Sequence, residues 1–126
     1  MARVLVVEDQ PPMLELIQTH LGKEGHQTVG AGSAEEAISL LDQKGPPDLA
    51  VLDVDLPGMD GIELLKALRQ REGLANLPGI FLSARVGEAD VTAGRSLGAA
   101  YLTKPFVASA LTDAVARALS GTESDR

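Results

Sequence analysis

Five residues stand at the ends of short apolar runs, and together they could do chemistry that none could do alone. Glu8 and Asp9 follow RVLVV, Asp53 follows LAVL, Ser83 follows GIFL and Lys104 follows AYLT. Three carboxylates brought close together raise one another's pKa unless a cation sits between them. Oxygen donors with room for waters suit Mg²⁺, which uses one or two protein carboxylates and completes its shell with water and phosphate oxygens. Lys104 can then neutralise phosphoryl oxygens opposite the ion, and Ser83 can donate a hydrogen bond to another of them. Asp53 is suited to be the nucleophile. A carboxylate attacking a phosphoryl group gives an aspartyl phosphate, with catalysis resting on positioning and charge neutralisation.

These residues can meet only if the runs that precede them lie side by side. Residues 3–7, 49–52, 79–82 and 100–103 are apolar throughout or nearly so, and 27–30 is a weaker strand. Between them the apolar spacing changes to that of helices. Leu14, Ile17 and Leu21 make the seam of a first helix that starts on Pro11-Pro12, where a missing N–H costs little. Ser33 with Glu36 reads as a capping box opening a second helix, with Ala37, Ile38 and Leu41 inward. Asp60 is the expected N-cap of a third helix over 61–70, built on Ile62, Leu65 and Leu68. A helix over 88–97 is weakened by Gly94, and a last helix over 107–119 carries Val107, Leu111, Val115 and Leu119 on one stripe. Strands apolar on both faces, alternating with helices, predict a parallel sheet covered on both sides by right-handed crossovers. The expected fold is α/β, a doubly wound (βα)5 sheet of strand order 2-1-3-4-5. Its binding crevice lies at the carboxyl ends of the strands, at the switch point between the first and third.

The composition excludes several function classes. A length of 126 residues corresponds to one domain. Eleven Lys and Arg against eighteen Asp and Glu leave a net charge of −7, which repels a phosphate backbone and argues against nucleic-acid binding. Without cysteine there is no disulfide, iron–sulfur cluster or thiolate zinc site. The first apolar run is too short for a signal-peptide core or a membrane span, so the expected location is cytoplasmic.

The motifs Glu8-Asp9, Asp53 within LDVDLPGMDG, Ser83-Ala84 and YLTKPF over 101–106 resemble the receiver domain of bacterial two-component response regulators. The resemblance covers residues 1–120 as a receiver domain, with 121–126 as a polar tail or the start of a linker. It implies a phosphorylation-activated switch that catalyses its own phosphorylation and dephosphorylation and is not a turnover enzyme. Asp53 would accept the phosphoryl group from a sensor histidine kinase or a histidine phosphotransfer protein. Glu8, Asp9, Asp53 and the backbone carbonyl of Asp55 would hold Mg²⁺, with Mn²⁺ able to substitute. Lys104 would bind the phosphoryl group, Ser83 would move to hydrogen-bond it, and Tyr101 would swing inward behind Ser83. Lys104-Pro105 would be a cis bond. The change would be read on the face made by the helix over 88–97, the strand over 100–103 and the last helix, by an output domain, a target protein or a second copy of the chain. Leu16 on the first helix would contact the phosphodonor. The segment between Ser83 and Tyr101 is one residue shorter than is usual in the family, and Asp55 and Arg85 are additional charged residues beside the site.

Two other classes compete with this reading. Asp53-Val54-Asp55 fits the DxD of haloacid-dehalogenase-like phosphohydrolases, but there the motif follows the first strand and a further acidic pair follows the lysine. A receiver-like adaptor that keeps the fold without phosphorylation is the third. His20 and His26 have no ligand-spaced companions and are expected at the surface.

Overall fold

Branched and leucine-rich runs bury both of their faces, and this makes the strands. The computed structural model describes residues 2–84, Thr92 and residues 96–120. The helix expected over 88–97 falls outside them except for Thr92, Ser96 and Leu97, and Arg85 and the tail over 121–126 lie outside the described residues. The strands are β1 (Arg3–Val7), β2 (Gln27–Ala31), β3 (Leu49–Asp53), β4 (Gly79–Ser83) and β5 (Ala100–Thr103). They form one parallel sheet in the order β2-β1-β3-β4-β5. The described helices are α1 (Pro11–Lys23), α2 (Ala34–Lys44), α3 (Gly61–Arg69) and α4 (Ala108–Ser120). The doubly wound order expected from the sequence is the one observed, and no helix among the described residues is long and apolar enough to cross a membrane.

Strand alternation divides the interior into two cores. Leu5, Val7, Leu52 and Phe81 face α2 and α3, where Ala37, Leu41, Leu64, Leu65 and Leu68 cover them. Val4, Val6, Val51, Ile80 and Leu82 face the other side, against Ile17 and Leu21 of α1 and Leu111 and Val115 of α4. Burying a leucine or isoleucine side chain is worth about 1.5–3 kcal/mol, so each helix is held to the sheet chiefly by its apolar stripe.

Three local expectations need correction. On α3 the fully buried leucine beside Leu65 and Leu68 is Leu64, and Ile62 is only half-buried. Val107 is 67% exposed. It stands before α4, where its carbonyl accepts from the amides of Ala110 and Leu111, so the stripe of that helix starts at Leu111. The capping box at α2 is half formed. Ser33 Oγ accepts from the Glu36 amide as expected, but the Glu36 carboxylate accepts from the amide of Gly32, one residue earlier than the box requires. At α3 the box is complete, with Asp60 and Glu63 each accepting from the other's amide.

The chain leaving β3 is set by two glycines. Gly58 takes φ +77° after Pro57, the left-handed backbone that the third position of a type II turn demands. Gly61 opens α3 against the end of β3 so closely that a Cβ would lie 2.4 Å from the Asp53 carbonyl oxygen. Gly61→Ala is therefore expected to push on Asp53 and destabilise the protein by about 2 kcal/mol, as overpacking does. Urea unfolding checks this, and an unchanged midpoint would show that α3 can back away freely.

Candidate functional site

The main-chain ladder continues one step past the ends of the strands and fixes where the functional side chains start. The Glu8 amide donates to Ala31 O at 3.0 Å, the Val54 amide to Leu82 O at 2.8 Å and the Lys104 amide to Ser83 O at 2.7 Å. β1, β3, β4 and β5 thus present Glu8, Asp53, Ser83 and Lys104 on one edge of the sheet. Glu8 is 1% exposed, Asp53 3% and Ser83 0%; Asp9, at the mouth, is exposed.

The Lys104 ammonium, from the end of β5, reaches the ends of two strands that β5 does not touch, β1 and β3. Its Nζ donates to Glu8 Oε1 at 2.6 Å and to Asp53 Oδ2 at 3.1 Å. The remaining carboxylate oxygens take main-chain donors: Gln10 N to Glu8 Oε2 at 3.2 Å, and Asp55 N to Asp53 Oδ1 at 2.9 Å. Ser83 Oγ donates to Asp55 Oδ2 at 3.0 Å. Among the described residues no buried side-chain nitrogen or oxygen is left without a partner. Burial pushes the Glu8 carboxyl above its ordinary value, against the hydrogen bonds from Lys104 and Gln10. Burial by itself would lower the Lys104 ammonium, but the bonds to Glu8 and Asp53 outweigh it and hold its pKa above the ordinary value.

The donor set fits a hard divalent cation. Glu8, Asp9 and Asp53 each place a carboxylate oxygen within 4.8 Å of the others, and three carboxylates against one ammonium leave two negative charges unbalanced. All the donors are oxygen, the chemistry of Mg²⁺ and unlike that of zinc or copper sites.

Tyr101 is half-buried on β5 opposite Phe81, and Ser83 pairs with Thr103 one pleat further along. Tyr101 and Ser83 therefore lie on the same face of the sheet. The Lys104–Pro105 peptide is cis. Leu16 is 60% exposed on α1. His20 is not a plain surface residue: it is half-buried, and its Nε2 lies 2.8 Å from Thr112 Oγ1, tying α1 to α4. His26 is half-buried too, its Nδ1 accepting from the Ala2 amide at 3.3 Å. The side-chain contact between Asp55 and Ser83 was not read from the sequence. The DxD spacing that carries it was visible, but the turn that brings position 55 back to β4 was not.

A cavity of about 600 Å³ lies at the opposite edge of the sheet, lined by Arg69, Asn76, Pro78, Gly79, Leu97 and Ser120 among others. It carries no comparable cluster, because the Arg69 guanidinium is committed to the carbonyls of Leu77 and Leu97.

Residues 4–116 match the response regulator receiver domain family. The chain is 41% identical over 105 residues to the alkaline phosphatase synthesis transcriptional regulatory protein PhoP of Bacillus subtilis, covering 82% of this chain and 42% of that protein. It is 41% identical over 116 residues to the transcriptional regulatory protein TrcR of Mycobacterium tuberculosis, covering 91% of this chain and 43% of that one. It thus spans about two fifths of the length of these relatives. Among solved structures, the chemotaxis protein CheY4 of Vibrio cholerae superposes with a TM-score of 0.86 at 29% identity, covering 94% of this chain and 99% of that one. The non-phosphorylated HemR receiver domain of Leptospira biflexa gives 0.84 at 30% identity, covering 95% of each chain.

Removing the ammonium should expose the charge imbalance. In metal-free protein, Lys104→Met is expected to cost about 3 kcal/mol at neutral pH, because Glu8 and Asp53 lose their shared cation. A raised acid favours the folded state where it is protonated. The Glu8 contribution is therefore complete below its ordinary value of 4.5 and is lost as pH rises through the raised one. Lys104 acts in another range, its contribution complete below 10.5 and lost as pH rises through its own raised value. The deficit in Lys104→Met should consequently shrink between neutral pH and about pH 5. Urea unfolding in a chelator at both pH values tests this, and an equal deficit at both would show that the charge of Glu8 is not what Lys104 balances.

Proposed function

The chain belongs to the response regulator receiver domains of two-component systems, and on that footing we propose that Asp53 accepts a phosphoryl group from a phosphohistidine on a sensor histidine kinase or phosphotransfer protein. The observation that carries this reading is the Lys104 ammonium, 3.1 Å from one Asp53 carboxylate oxygen and 2.6 Å from Glu8. It is a fixed cation beside the only buried aspartate among the described residues. An Asp53 oxygen attacks phosphorus, the P–N bond to the donor imidazole breaks, and its electron pair returns to the ring nitrogen. Lys104 then moves its hydrogen bond from the carboxylate to a phosphoryl oxygen, so no charge has to be desolvated afresh during transfer.

Glu8, Asp9, Asp53 and the backbone carbonyl of Asp55 are the groups that would hold Mg²⁺. When bound, the ion draws negative charge from the phosphoryl oxygens. The amide of Asp55 orients Asp53 by holding Oδ1, and Gln10 does the same for Glu8. Ser83 donates to the third phosphoryl oxygen, and Tyr101 follows it on the same face of the sheet. The relay ends on the segment over 88–97, β5 and α4, where an output domain, a target protein or a second copy would read it. The relatives PhoP and TrcR are named as transcriptional regulators, and this chain corresponds to the part of each that it covers. A cytoplasmic place, next to the kinases that supply the phosphoryl group, follows from the same reading. Leu16, exposed on the helix that starts beside Asp9, is the contact for the phosphodonor.

Intact mass after incubation with acetyl phosphate tests the acceptor. One phosphoryl adduct is expected with Mg²⁺, and none in Asp53→Asn or in a chelator; an adduct that survives Asp53→Asn would move the acceptor elsewhere. The donor contact has its own measurement. Leu16→Asp should slow transfer from a phosphohistidine donor about tenfold more than transfer from acetyl phosphate, and equal slowing of both would remove Leu16 from the interface.

A further inference from the structure

The Ser83 hydroxyl is completely buried and donates to Asp55 Oδ2 at 3.0 Å, although its task in phosphorylation would be to donate to a group on Asp53. A serine has one hydroxyl proton and can serve one strong acceptor at a time. We propose that Asp55 is a positioning residue that holds Ser83 in the unphosphorylated state, so that phosphoryl capture must exchange one acceptor of Ser83 for another. The inference rests on the reading of Asp53 as the phosphoryl acceptor and adds to it the group that opposes the switch.

The two ends of the bond are unequal in a way that suits an exchange. Asp55 is exposed, so water can take over at its carboxylate when the hydroxyl leaves. Ser83 has no exposed surface, and a buried hydroxyl deprived of its acceptor is costly. A replacement acceptor within the site, which a phosphoryl oxygen on Asp53 would be, lets it leave Asp55 without that cost. Asp55 is also tied to that event through its main chain, since its amide donates to Asp53 Oδ1 at 2.9 Å. One residue therefore touches the acceptor with its backbone and the switch hydroxyl with its side chain. A charged acceptor holds a hydroxyl more strongly than a neutral one, so an aspartate here sets a higher threshold than a residue that cannot accept.

Beryllofluoride, an unreactive mimic of the phosphoryl group, reads the exchange at equilibrium. Its binding with Mg²⁺ is followed by fluorine NMR in the wild type, Asp55→Ala, Asp55→Asn, Ser83→Ala and the double variant Asp55→Ala/Ser83→Ala. Asp55→Ala should bind about tenfold more tightly than the wild type, the effect of removing one charged acceptor that competes for the hydroxyl. Asp55→Asn keeps an acceptor oxygen but loses the charge, so it should hold Ser83 less strongly and bind about threefold more tightly than the wild type, between the wild type and Asp55→Ala. In the Ser83→Ala background the Asp55 substitution should change nothing, because the residue through which it acts is gone. If Asp55→Asn tightens binding as much as Asp55→Ala, or if the gain persists without Ser83, the carboxylate acts by its charge and the positioning role is overturned. Unchanged or weaker binding in Asp55→Ala overturns it as well. A wild type that shows no bound fluoride fails at the acceptor reading itself and takes the inference down with it, a result distinct from any difference between variants.

Discussion

The Lys104 ammonium reaches from the end of β5 to carboxylates on β1 and β3, and three charges buried together are tolerable only when every one is held. In the observed strand order β4 lies between β3 and β5. The lysine side chain therefore has to pass the end of β4, and the residue there is Ser83, small enough to leave room. A strand order that separated β1 from β3 would leave Glu8 buried without its cation, at a cost of several kcal/mol. The topology and the ion pair thus depend on each other. The sheet order brings the charges together, and the charges disfavour orders that part β1 from β3 or carry β5 out of reach of them.

The apolar interior serves that arrangement by making the strand ends rigid. The central strands are buried on both faces, and main-chain bonds run one step beyond them at Glu8, Val54 and Lys104. Gly61 brings α3 to within contact of the Asp53 carbonyl. Asp53 is consequently fixed by its own strand, by the start of a helix and by the Asp55 amide, with little freedom left to lose when a reaction takes place at it. Burial has an electrostatic price. It pushes Glu8 towards its protonated form, and with Glu8, Asp9 and Asp53 all ionised the cluster would carry more negative charge than Lys104 can balance. An additional cation, resident or arriving with a ligand, lowers the energy of such a site, and this is why it is suited to bind and not merely to hold the fold.

The strands, their order and the edge on which the chemistry collects were legible in the sequence, because period and burial leave few alternatives for runs such as RVLVV and GIFLS. The cluster of Glu8, Asp9, Asp53 and Lys104 was legible for the same reason: each follows a strand, and parallel strands put their ends together. What was not legible depends on side-chain direction at element ends. Leu64 and Ile62 are both apolar and two residues apart, and the tilt of α3 against the sheet decides which is buried. Val107 continues the spacing of the last helix but sits before its first turn. His20 finds Thr112, 92 residues away in sequence, across two helices, a pairing that no local pattern encodes. The Ser83–Asp55 bond belongs to the same class, since a turn after β3 has to fold back towards β4 before the two can touch.

On the reading proposed for Asp53, that bond also bounds what the switch can do alone. Moving a two-state equilibrium from one extreme to the other takes about 5.5 kcal/mol of differential binding, whereas exchanging one hydroxyl acceptor for another changes about 1–2 kcal/mol. Ser83 cannot throw the switch by itself. The remainder has to come from groups that also change partners when the phosphoryl group arrives: Lys104, which leaves a carboxylate for a phosphoryl oxygen, and Tyr101, whose half-buried ring gains by deeper burial. Tyr101 shares its sheet face with Ser83 and Phe81, so space vacated by the hydroxyl opens next to the ring. The hydroxyl then acts as the trigger and the aromatic side chain as the larger energetic contribution, and the order of events runs from charge to hydrogen bond to packing.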